Sequence, residues 1–322
     1  MQRSFKALAA PAMRAGRQAS RQAMAAGVRR LRPPPGAGLW WPGVAMGPQG
    51  ARAYKLFRPT ALPSGQTVPL LVMLHGCAQD AAAFAKSTRM NALAASKGFV
   101  LLYPEQDRLA NVQACWNWFD TDTGRAQAEA DLILKAIDMA CTLCPVDRAR
   151  VALVGFSAGA SMAALLATRH PERFCAVVMH SGVPPGAAHS GATAISAMRG
   201  RLAPSALAGP QDWPPLLVIH GDADGVVSPS NAGAATRLWS EASGAVAQAP
   251  RSLQRGKRLA MCVTNFRCGT TLVVQSVLVA GLGHAWSGGA AHEAFSNRLG
   301  PDASRLAWAF VAKAPRRTQG LP

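Results

Sequence analysis

A serine flanked by two glycines lies at residues 155–159, where the chain reads Gly-Phe-Ser-Ala-Gly. The apolar segment RVALV precedes this pentapeptide, and the helix-forming segment ASMAALLATR follows it directly. A G-x-S-x-G pattern alone arises often by chance. Placed between a strand and a helix, it is typical of a nucleophile elbow, a sharp turn that lifts a serine hydroxyl above a sheet. Because a helix N-terminus also stabilises developing negative charge, Ser157 is predicted to be a nucleophile.

A nucleophilic serine needs a histidine base and a carboxylate that orients it, and after a G-x-S-x-G turn these follow in the order acid, then histidine. The apolar run LLVIHG leads directly into Asp222 and Asp224. The apolar run VVQSVLV leads into a Gly-rich segment with His284 at its tip. The pattern predicts His284 as the base, and the residues alone do not separate Asp222 from Asp224 as its partner.

Other histidines after Ser157 fit the role of base less well. His292 is the alternative to His284, but it lies in a polar segment away from any strand end. His189 follows a Pro/Gly stretch, and His170 ends the helix after the elbow. We expect His170 and His189 to be surface or packing residues.

Hydrolysis of an ester by a serine nucleophile also requires two backbone N–H groups that donate hydrogen bonds to the developing oxyanion. In an elbow of this type one donor is the residue after the serine, Ala158, and the other comes from the loop after an earlier strand. That loop reads His75-Gly76-Cys77-Ala78-Gln79 after the strand PLLVML, which makes the Cys77 N–H the second candidate. His75 and His220 each precede a glycine at a strand end, and we interpret both as hydrogen-bonded core histidines.

The elements that must position these groups alternate along the chain. Several short segments are apolar on both faces, and amphipathic helical segments separate them, which is typical of a parallel sheet covered on both sides. In such sheets functional residues collect at the carboxyl ends of the strands. The predicted class is therefore α/β, with a mostly parallel twisted sheet and helices on both faces. The predicted strands are 52–57, 69–75, 99–103, 150–154, 176–179, 216–219 and 273–279, and the predicted helices are 81–96, 129–143, 158–169 and 302–313.

Charge is distributed unevenly between the first sixty residues and the remainder. The net charge is +18, but residues 1–60 contain eleven Lys or Arg and no acid, since the first carboxylate is that of Asp80. We therefore expect a basic, disordered arm with a Pro/Gly linker over residues 1–50, a catalytic domain over 51–313 and a tail over 314–322. Half of the residues are hydrophobic (49%), which excludes wholesale disorder, and no apolar run approaches the roughly 18 to 20 residues of a membrane span.

Seven cysteines are too few, and odd in number, for a disulfide scaffold. Cys141 and Cys144 form a lone CxxC without a second pair, so no zinc or other metal is expected. In an oxidising compartment Cys77 could bridge Cys115, and Cys262 could bridge Cys268; otherwise all are expected to be buried thiols. The first residues lack the continuous apolar segment of an export signal, which favours a cytoplasmic location.

Eight motifs occur in an order that resembles one family of esterases. They are LHGCAQ, TRMNALA, YPEQ, CWNWF, GFSAGA, HSG, HGDADGVV and GLGHAWSGG. Over about residues 51–312 they closely resemble the catalytic domain of the poly(3-hydroxybutyrate) depolymerase esterases, which have the α/β-hydrolase fold. The resemblance implies a Ser157–His284–Asp224 triad, so Asp224 is favoured over Asp222. It also implies oxyanion donors at Cys77 and Ala158.

The resemblance further implies a use for the aromatic block at residues 115–119. Trp116, Trp118 and Phe119 would form an apolar wall for short hydroxyacyl units, and Asn117 would offer a polar contact. The alternative is that these aromatic side chains belong to the core. Secreted relatives resemble a catalytic domain joined to a polymer-binding domain. We expect no such domain after the last predicted helix here, and we expect the basic arm to stand in place of a signal peptide. The resemblance nevertheless also allows an extracellular or periplasmic location.

The predicted function is that of a cofactor-free serine esterase acting on 3-hydroxybutyrate esters in oligomers or amorphous polymer. A feruloyl or acetyl-xylan type carboxylesterase is the alternative within the same class of enzyme. From a different class, the basic arm allows a protein that binds polymer granules or nucleic acid, with granule contact through residues 1–32 as an accessory role. Nucleic acid as the main partner is disfavoured because the triad pattern is complete.

Overall fold

The computed structural model describes residues 34–205 and 212–317. All described residues except Pro34 belong to one compact unit. Residues 1–32 of the predicted arm, through which granule contact is expected, lie outside the described residues. No helix in the described part is both long and apolar enough to cross a membrane.

Eleven strands of the described residues form one mixed sheet. They are β1 Gly38–Gly47, β2 Gly50–Pro59, β3 Val68–Leu74, β4 Val100–Pro104, β5 Val146–Phe156, β6 Ala176–His180, β7 Leu216–Gly221, β8 Val246–Ala247, β9 Arg251–Leu253, β10 Met261–Cys268 and β11 Thr271–Val279; β12 Trp286–Ser287 and β13 Ser296–Asn297 form a separate pair. The spatial order in the sheet is β1-β2-β4-β3-β5-β6-β7-β11-β10-β8, with β9 paired to β10. The six central strands of this order, from β4 to β11, run parallel to one another. Antiparallel strands complete both edges.

Helices cover both faces of this sheet, as the apolar strands require. The helices are α1 Ala81–Thr88, α2 Met90–Lys97, α3 Arg125–Leu143, α4 Ala158–Arg169, α5 Gly191–Met198, α6 Ser230–Ser243 and α7 Ala303–Val311. The first face carries α3, α4, α5 and α6, whose buried side chains share one core with alternate residues of the central strands. The second face carries α1, α2 and α7, which share another core with the intervening strand residues. The predicted α/β-hydrolase architecture is confirmed.

The sheet begins earlier than the sequence analysis places it. The sequence analysis places residues 38–47 in the basic arm and its Pro/Gly linker, yet they form β1 and pair with β2 along their whole length. An edge strand tolerates proline, since one side of its backbone needs no partner. The glycines are required by close packing: a Cβ on Gly43 would lie 2.2 Å from the ring of Tyr54.

The helix predicted over residues 81–96 is two helices. Arg89 adopts a left-handed conformation (φ 57°) between α1 and α2. Its guanidinium donates a hydrogen bond to the carbonyl of Gly288 and lies 3.5 Å from the Asp302 carboxylate. A tertiary contact therefore accompanies the break in a segment whose local pattern is continuous.

Candidate active site

Ser157 occupies the sharp turn between β5 and α4, with φ 55° and ψ −123°. A non-glycine residue rarely adopts a positive φ, so this strain must be held by the surroundings. The flanking glycines show how. A Cβ on Gly155 would lie 2.2 Å from the carbonyl oxygen of Gly159, and one on Gly159 would lie 2.1 Å from the carbonyl oxygen of Leu74. Helix α4 therefore starts directly against the β3 backbone, which fixes the serine at the carboxyl edge of the sheet.

His284 links Ser157 to a carboxylate through its two ring nitrogens. Its Nε2 lies 2.9 Å from Ser157 Oγ, and its Nδ1 lies 2.8 Å from Asp224 Oδ2. Since Asp224 accepts at Nδ1, that nitrogen carries the proton and Nε2 is free to accept the serine proton. The structure thus brings together the three residues predicted from the motifs.

The second aspartate of the same loop makes a different contact. Asp222 accepts a hydrogen bond of 2.7 Å from the backbone N–H of Gly281 and is exposed. This hydrogen bond links the loop after β7 to the loop after β11 at the protein surface, whereas Asp224 is buried beneath His284. This geometry separates the two aspartates that residue pattern alone left open.

The Asp224 carboxylate is saturated with donors. Its Oδ1 accepts the backbone N–H groups of Val226 and Val227 at 2.9 Å each. Burial alone would raise the pKa of Asp224, but hydrogen bonds from His220, His284 and the Val227 backbone outweigh burial and hold that pKa well below its usual range. The group is therefore a stable anion beside the imidazole across the working pH range.

The His284 loop is held from below by a buried aromatic cluster. The Phe156 ring lies 5.1 Å from the His284 ring, and His180 stacks on Trp286 at 5.0 Å. His180 Nε2 accepts the backbone N–H of Ser287 at 3.1 Å, and burial, together with the nearby His220 and His284, lowers the pKa of His180 to about 3. A neutral acceptor at the end of β6 therefore anchors the loop that carries the base. The motif His-Ser-Gly at a strand end was the available sequence signal for this role.

The remaining histidines lie away from Ser157. His292 is exposed in the loop beyond Gly289, His189 is 3.0 Å from the hydroxyl of Thr121, and His170 ends α4. His75 and His220 are fully buried and hydrogen-bonded.

Two backbone N–H groups adjoin the serine on the cavity side. Among the described residues, neither Cys77 N–H nor Ala158 N–H has a hydrogen-bond acceptor. The loop carrying Cys77 is shaped by the Gly76 N–H, which donates to Gln79 Oε1, and by a disulfide between Cys77 and Cys115. Free donors at these two positions match the arrangement expected of an oxyanion hole.

A cavity of about 460 Å³ opens above Ser157 and His284. Its walls are mainly apolar, and no Lys, Arg, Asp or Glu belongs to its described lining. Trp118 and Phe119 contribute to one wall. The predictions missed Ala194, Ile195 and Met198, because the short helix α5 has no distinctive motif. They also missed Val183, Val226 and Phe295, which line the cavity from loops. Such a cavity accepts an uncharged, compact, largely apolar group.

Comparison with known proteins agrees with this geometry. A family model described as "Esterase PHB depolymerase" matches residues 52–254, well over half of the chain. The chain belongs to this esterase family. It is a carboxylic ester hydrolase, and the matched region includes Ser157 and Asp224.

Relatives of this esterase include enzymes named for two substrates. Poly(3-hydroxyalkanoate) depolymerase C of Paucimonas lemoignei is 33% identical over 185 residues, covering 54% of this chain and 44% of that protein. Acetylxylan esterase A of Emericella nidulans is 24% identical over 249 residues, covering 72% of this chain and 79% of that protein. The match thus spans less than half the length of the depolymerase.

Solved structures share the fold. An acetyl xylan esterase from Aspergillus awamori superposes with a TM-score of 0.56 at 18% identity, covering 76% of this chain and 94% of that one. Esterase PE8 superposes with a TM-score of 0.50 at 18% identity, covering 81% and 97%. At these identities the likeness concerns the fold alone.

The aromatic block of the esterase divides between core and cavity. Trp118 and Phe119 line the cavity as expected. The expectation for Trp116 and Asn117 is wrong: Trp116 is fully buried and donates its indole N–H to the His75 carbonyl, at 3.0 Å. Asn117 is buried too, and its amide donates to the Glu129 carboxylate at 2.7 Å. The polar atoms of both side chains are hydrogen-bonded to groups inside the protein, so neither can contact substrate.

The cysteines of the esterase also depart in part from expectation. Cys77 and Cys115 form the disulfide considered above. Cys262 and Cys268 are exposed free thiols on the same strand, six residues apart, a separation of about 20 Å that excludes a bridge between them. Cys141 and Cys144 are free, and no cluster of three or more metal-ligating side chains occurs among residues 34–205 and 212–317.

Proposed function

We propose that this chain is a serine esterase that cleaves 3-hydroxybutyrate ester bonds in oligomers or amorphous polymer through an acyl-enzyme. The observation that carries the proposal is the hydrogen-bond relay from Ser157 through His284 to Asp224 at the base of an apolar cavity. The relay supplies nucleophile, base and orienting anion in the geometry that ester hydrolysis needs.

The proposed reaction has two stages. His284 Nε2 takes the Ser157 proton while Oγ attacks the ester carbonyl, and the carbonyl oxygen receives hydrogen bonds from Cys77 N–H and Ala158 N–H. The imidazolium then protonates the leaving alkoxide, which departs as the alcohol end of the substrate. Water, deprotonated by His284, attacks the acyl-enzyme and releases the acid and the free serine. Each oxyanion donor is expected to lower the barrier by about 3 kcal/mol.

The character of the cavity supports a polyester substrate. A 3-hydroxybutyrate chain alternates methyl groups with uncharged esters, and the described lining of the cavity contains no lysine, arginine, aspartate or glutamate. Trp118 and Phe119 meet edge to face at 5.6 Å and offer a rigid apolar wall for such a methyl group. The likeness to a named poly(3-hydroxyalkanoate) depolymerase favours the same substrate class.

An acetyl-xylan or feruloyl type esterase is the second candidate. It is favoured by the likeness to an acetylxylan esterase that extends over 79% of that protein's length. Acetyl and feruloyl groups are uncharged as well, so the cavity accommodates them on the same chemical grounds.

Four substrates and one serine variant test the proposal. Hydrolysis of p-nitrophenyl butyrate, a 3-hydroxybutyrate trimer, acetylated xylan and methyl ferulate is compared for the wild type and Ser157→Ala. We expect turnover of the first two and a loss of at least about a thousandfold in the variant. Preference for acetylated xylan or ferulate by more than tenfold in kcat/KM would transfer the assignment to the second candidate. Full activity in Ser157→Ala would refute the mechanism.

Paired aspartate variants supply the matched control. Asp224→Asn removes the anion beneath His284 and is expected to reduce kcat by about three to four orders of magnitude. Asp222→Asn lies two residues away on the same loop and retains an acceptor for the Gly281 N–H. It should leave kcat within about twofold; equal losses in both variants would contradict the assignment of Asp224.

A further inference from the structure

A second histidine contacts the carboxylate of the proposed triad. His220 lies one residue before the end of β7, and its side chain is completely buried. Its Nε2 is 3.0 Å from the carbonyl oxygen of Val227 and 3.4 Å from Asp224 Oδ2, the same carboxylate oxygen that His284 contacts at 2.8 Å. The two imidazoles thus converge on one oxygen from two different elements.

The tautomer of His220 follows from its neighbours. A carbonyl oxygen can only accept, so the contact with Val227 requires the proton on Nε2. The other nitrogen, Nδ1, is buried and has no partner among the described residues. Because a proton on Nδ1 would be a buried donor without an acceptor, the ring is neutral and directs its one N–H at Val227 and Asp224 together.

From this geometry we propose that His220 is a positioning residue for the triad, which holds Asp224 through a shared N–H and limits how strongly that carboxylate stabilises protonated His284. The inference rests on the proposed function of the Ser157–His284–Asp224 relay. His220 closes a ring with Val227 and Asp224, since Val227 N–H donates to Asp224 Oδ1 while Val227 C=O accepts from His220. These contacts hold the loop that carries Asp224 and Val227 against β7, with Val227 N–H at one carboxylate oxygen and His220 at the other.

The electrostatic consequence has a definite sign. An N–H donated to Oδ2 disperses its negative charge, which weakens its attraction for a proton on the neighbouring imidazole. Without that N–H, the carboxylate favours the imidazolium form of His284 more strongly. The base then remains protonated, and inactive, up to a higher pH.

Few other titratable or charged groups lie close enough to Asp224 and His284 to affect this electrostatic interaction. Among the described residues the Asp224 carboxylate contacts the imidazoles of His220 and His284, and it forms no ion pair with a lysine or arginine. His180 faces the same cluster from β6, and its pKa is lowered to about 3, so it is uncharged throughout the range of the assay. Ser157, in the turn between β5 and α4, contacts the Nε2 atom of His284.

The test compares the pH dependence of kcat/KM in two variants. His220→Met fills the volume without a donor, whereas His220→Gln places an amide N–H near the position of Nε2. With p-nitrophenyl butyrate, we expect the acid limb of the profile to move to higher pH by about one unit in His220→Met, a tenfold loss at a pH on that limb. The limb should return to within about 0.3 unit of the wild type in His220→Gln.

Two controls distinguish a shift of the pH profile of kcat/KM from a loss of folded protein. Active-site titration with a serine-reactive phosphonate normalises each rate to the folded fraction, and Asp222→Asn reports on a charge change in the same loop away from His284. A purely structural role would lower the plateau of the profile or the melting temperature and leave the limb in place. Identical limbs in wild type and His220→Met, or equal shifts in the Met and Gln variants, overturn the proposal.

A measurement on the wild type covers the case in which His220→Met does not fold. In protein with ¹⁵N-labelled histidine, the one-bond N–H coupling of His220 should appear at Nε2, and its appearance at Nδ1 overturns the proposal. The Ser157→Ala experiment remains independent: activity surviving in Ser157→Ala refutes the proposed function, whereas its loss together with an unshifted His220→Met profile refutes this inference alone.

Discussion

The disulfide between Cys77 and Cys115 gives a prediction in which stability and activity change together. The two residues are 38 positions apart, and closing a loop of that length in the unfolded chain is worth about 4 kcal/mol by the chain-entropy relation. Cys77 also carries one of the two proposed oxyanion donors on its backbone. Cys115→Ala should therefore lower the free energy of unfolding by about 4 kcal/mol while leaving residue 77 in the sequence.

Catalysis should respond to the same change by a smaller factor. The Cys77 N–H remains in Cys115→Ala, but its position is no longer fixed by the bridge to the neighbouring loop. Loss of the donor altogether would cost about 3 kcal/mol, or more than a hundredfold in kcat. We expect a partial loss of about tenfold, since Gln79 still holds the Gly76 N–H and with it the start of the loop.

Urea unfolding followed by tryptophan fluorescence, with and without dithiothreitol, measures the stability change, and p-nitrophenyl butyrate hydrolysis measures the activity. The double variant Cys262→Ser/Cys268→Ser is the control, because both thiols are exposed and free. Reductant should destabilise the wild type and this control but leave Cys115→Ala unchanged. An unfolding midpoint in Cys115→Ala equal to that of the wild type would refute the reasoning.

Three further predictions concern the turn, the buried histidines and the cavity. Gly159→Ala puts a Cβ 2.1 Å from a main-chain oxygen and should abolish soluble expression, whereas Gly233→Ala, whose nearest neighbour is a flexible side-chain atom at 3.4 Å, should express normally; comparable yields would contradict this. Burial lowers the pKa of His75 to about 4 and, with nearby histidines, that of His180 to about 3, both below the unfolded value of 6.5. The unfolded state therefore binds more protons, and urea titrations should show the free energy of unfolding falling by roughly 2.7 kcal/mol per pH unit between about pH 6 and pH 4; a flat profile would exclude both residues as neutral in the folded state. Trp118→Ala removes a cavity wall and should raise KM for p-nitrophenyl butyrate about tenfold with a smaller effect on the melting temperature, and an unchanged KM would remove Trp118 from the cavity.

Local sequence predicted the parts of the molecule whose causes are local. Strands that are apolar on both faces require cover on both sides, and the Gly-rich turn around Ser157 follows from steric demands that only glycine meets. The strand β1 was missed because Pro42 and the surrounding glycines disfavour a strand by propensity, and only the rings of Tyr54 and Phe57 on the neighbouring strand explain them.

The aromatic block shows the same limit at the site. Trp116 and Trp118 are two residues apart in one short motif, and the family resemblance implies one role for both. The structure turns Trp116 inward because the His75 carbonyl accepts its indole N–H, and it leaves Trp118 at the cavity. Asn117 was assigned to substrate because it is polar, but Glu129, twelve residues away on a helix, accepts its amide N–H groups.

The hairpin formed by β1 and β2 bears on how the protein behaves when it is shortened. Because β1 hydrogen-bonds along the whole length of β2, it keeps the outer edge of β2 from meeting other chains. Removal of the first 33 residues leaves β1 in place. Removal of the first 50 deletes β1 and exposes the remaining nine-residue edge of β2, residues 51–59, the kind of surface on which sheets from separate molecules join. A chain shortened at residue 50 should therefore self-associate through β2, and a test of the basic arm in granule binding is sound only when the cut falls before Gly38.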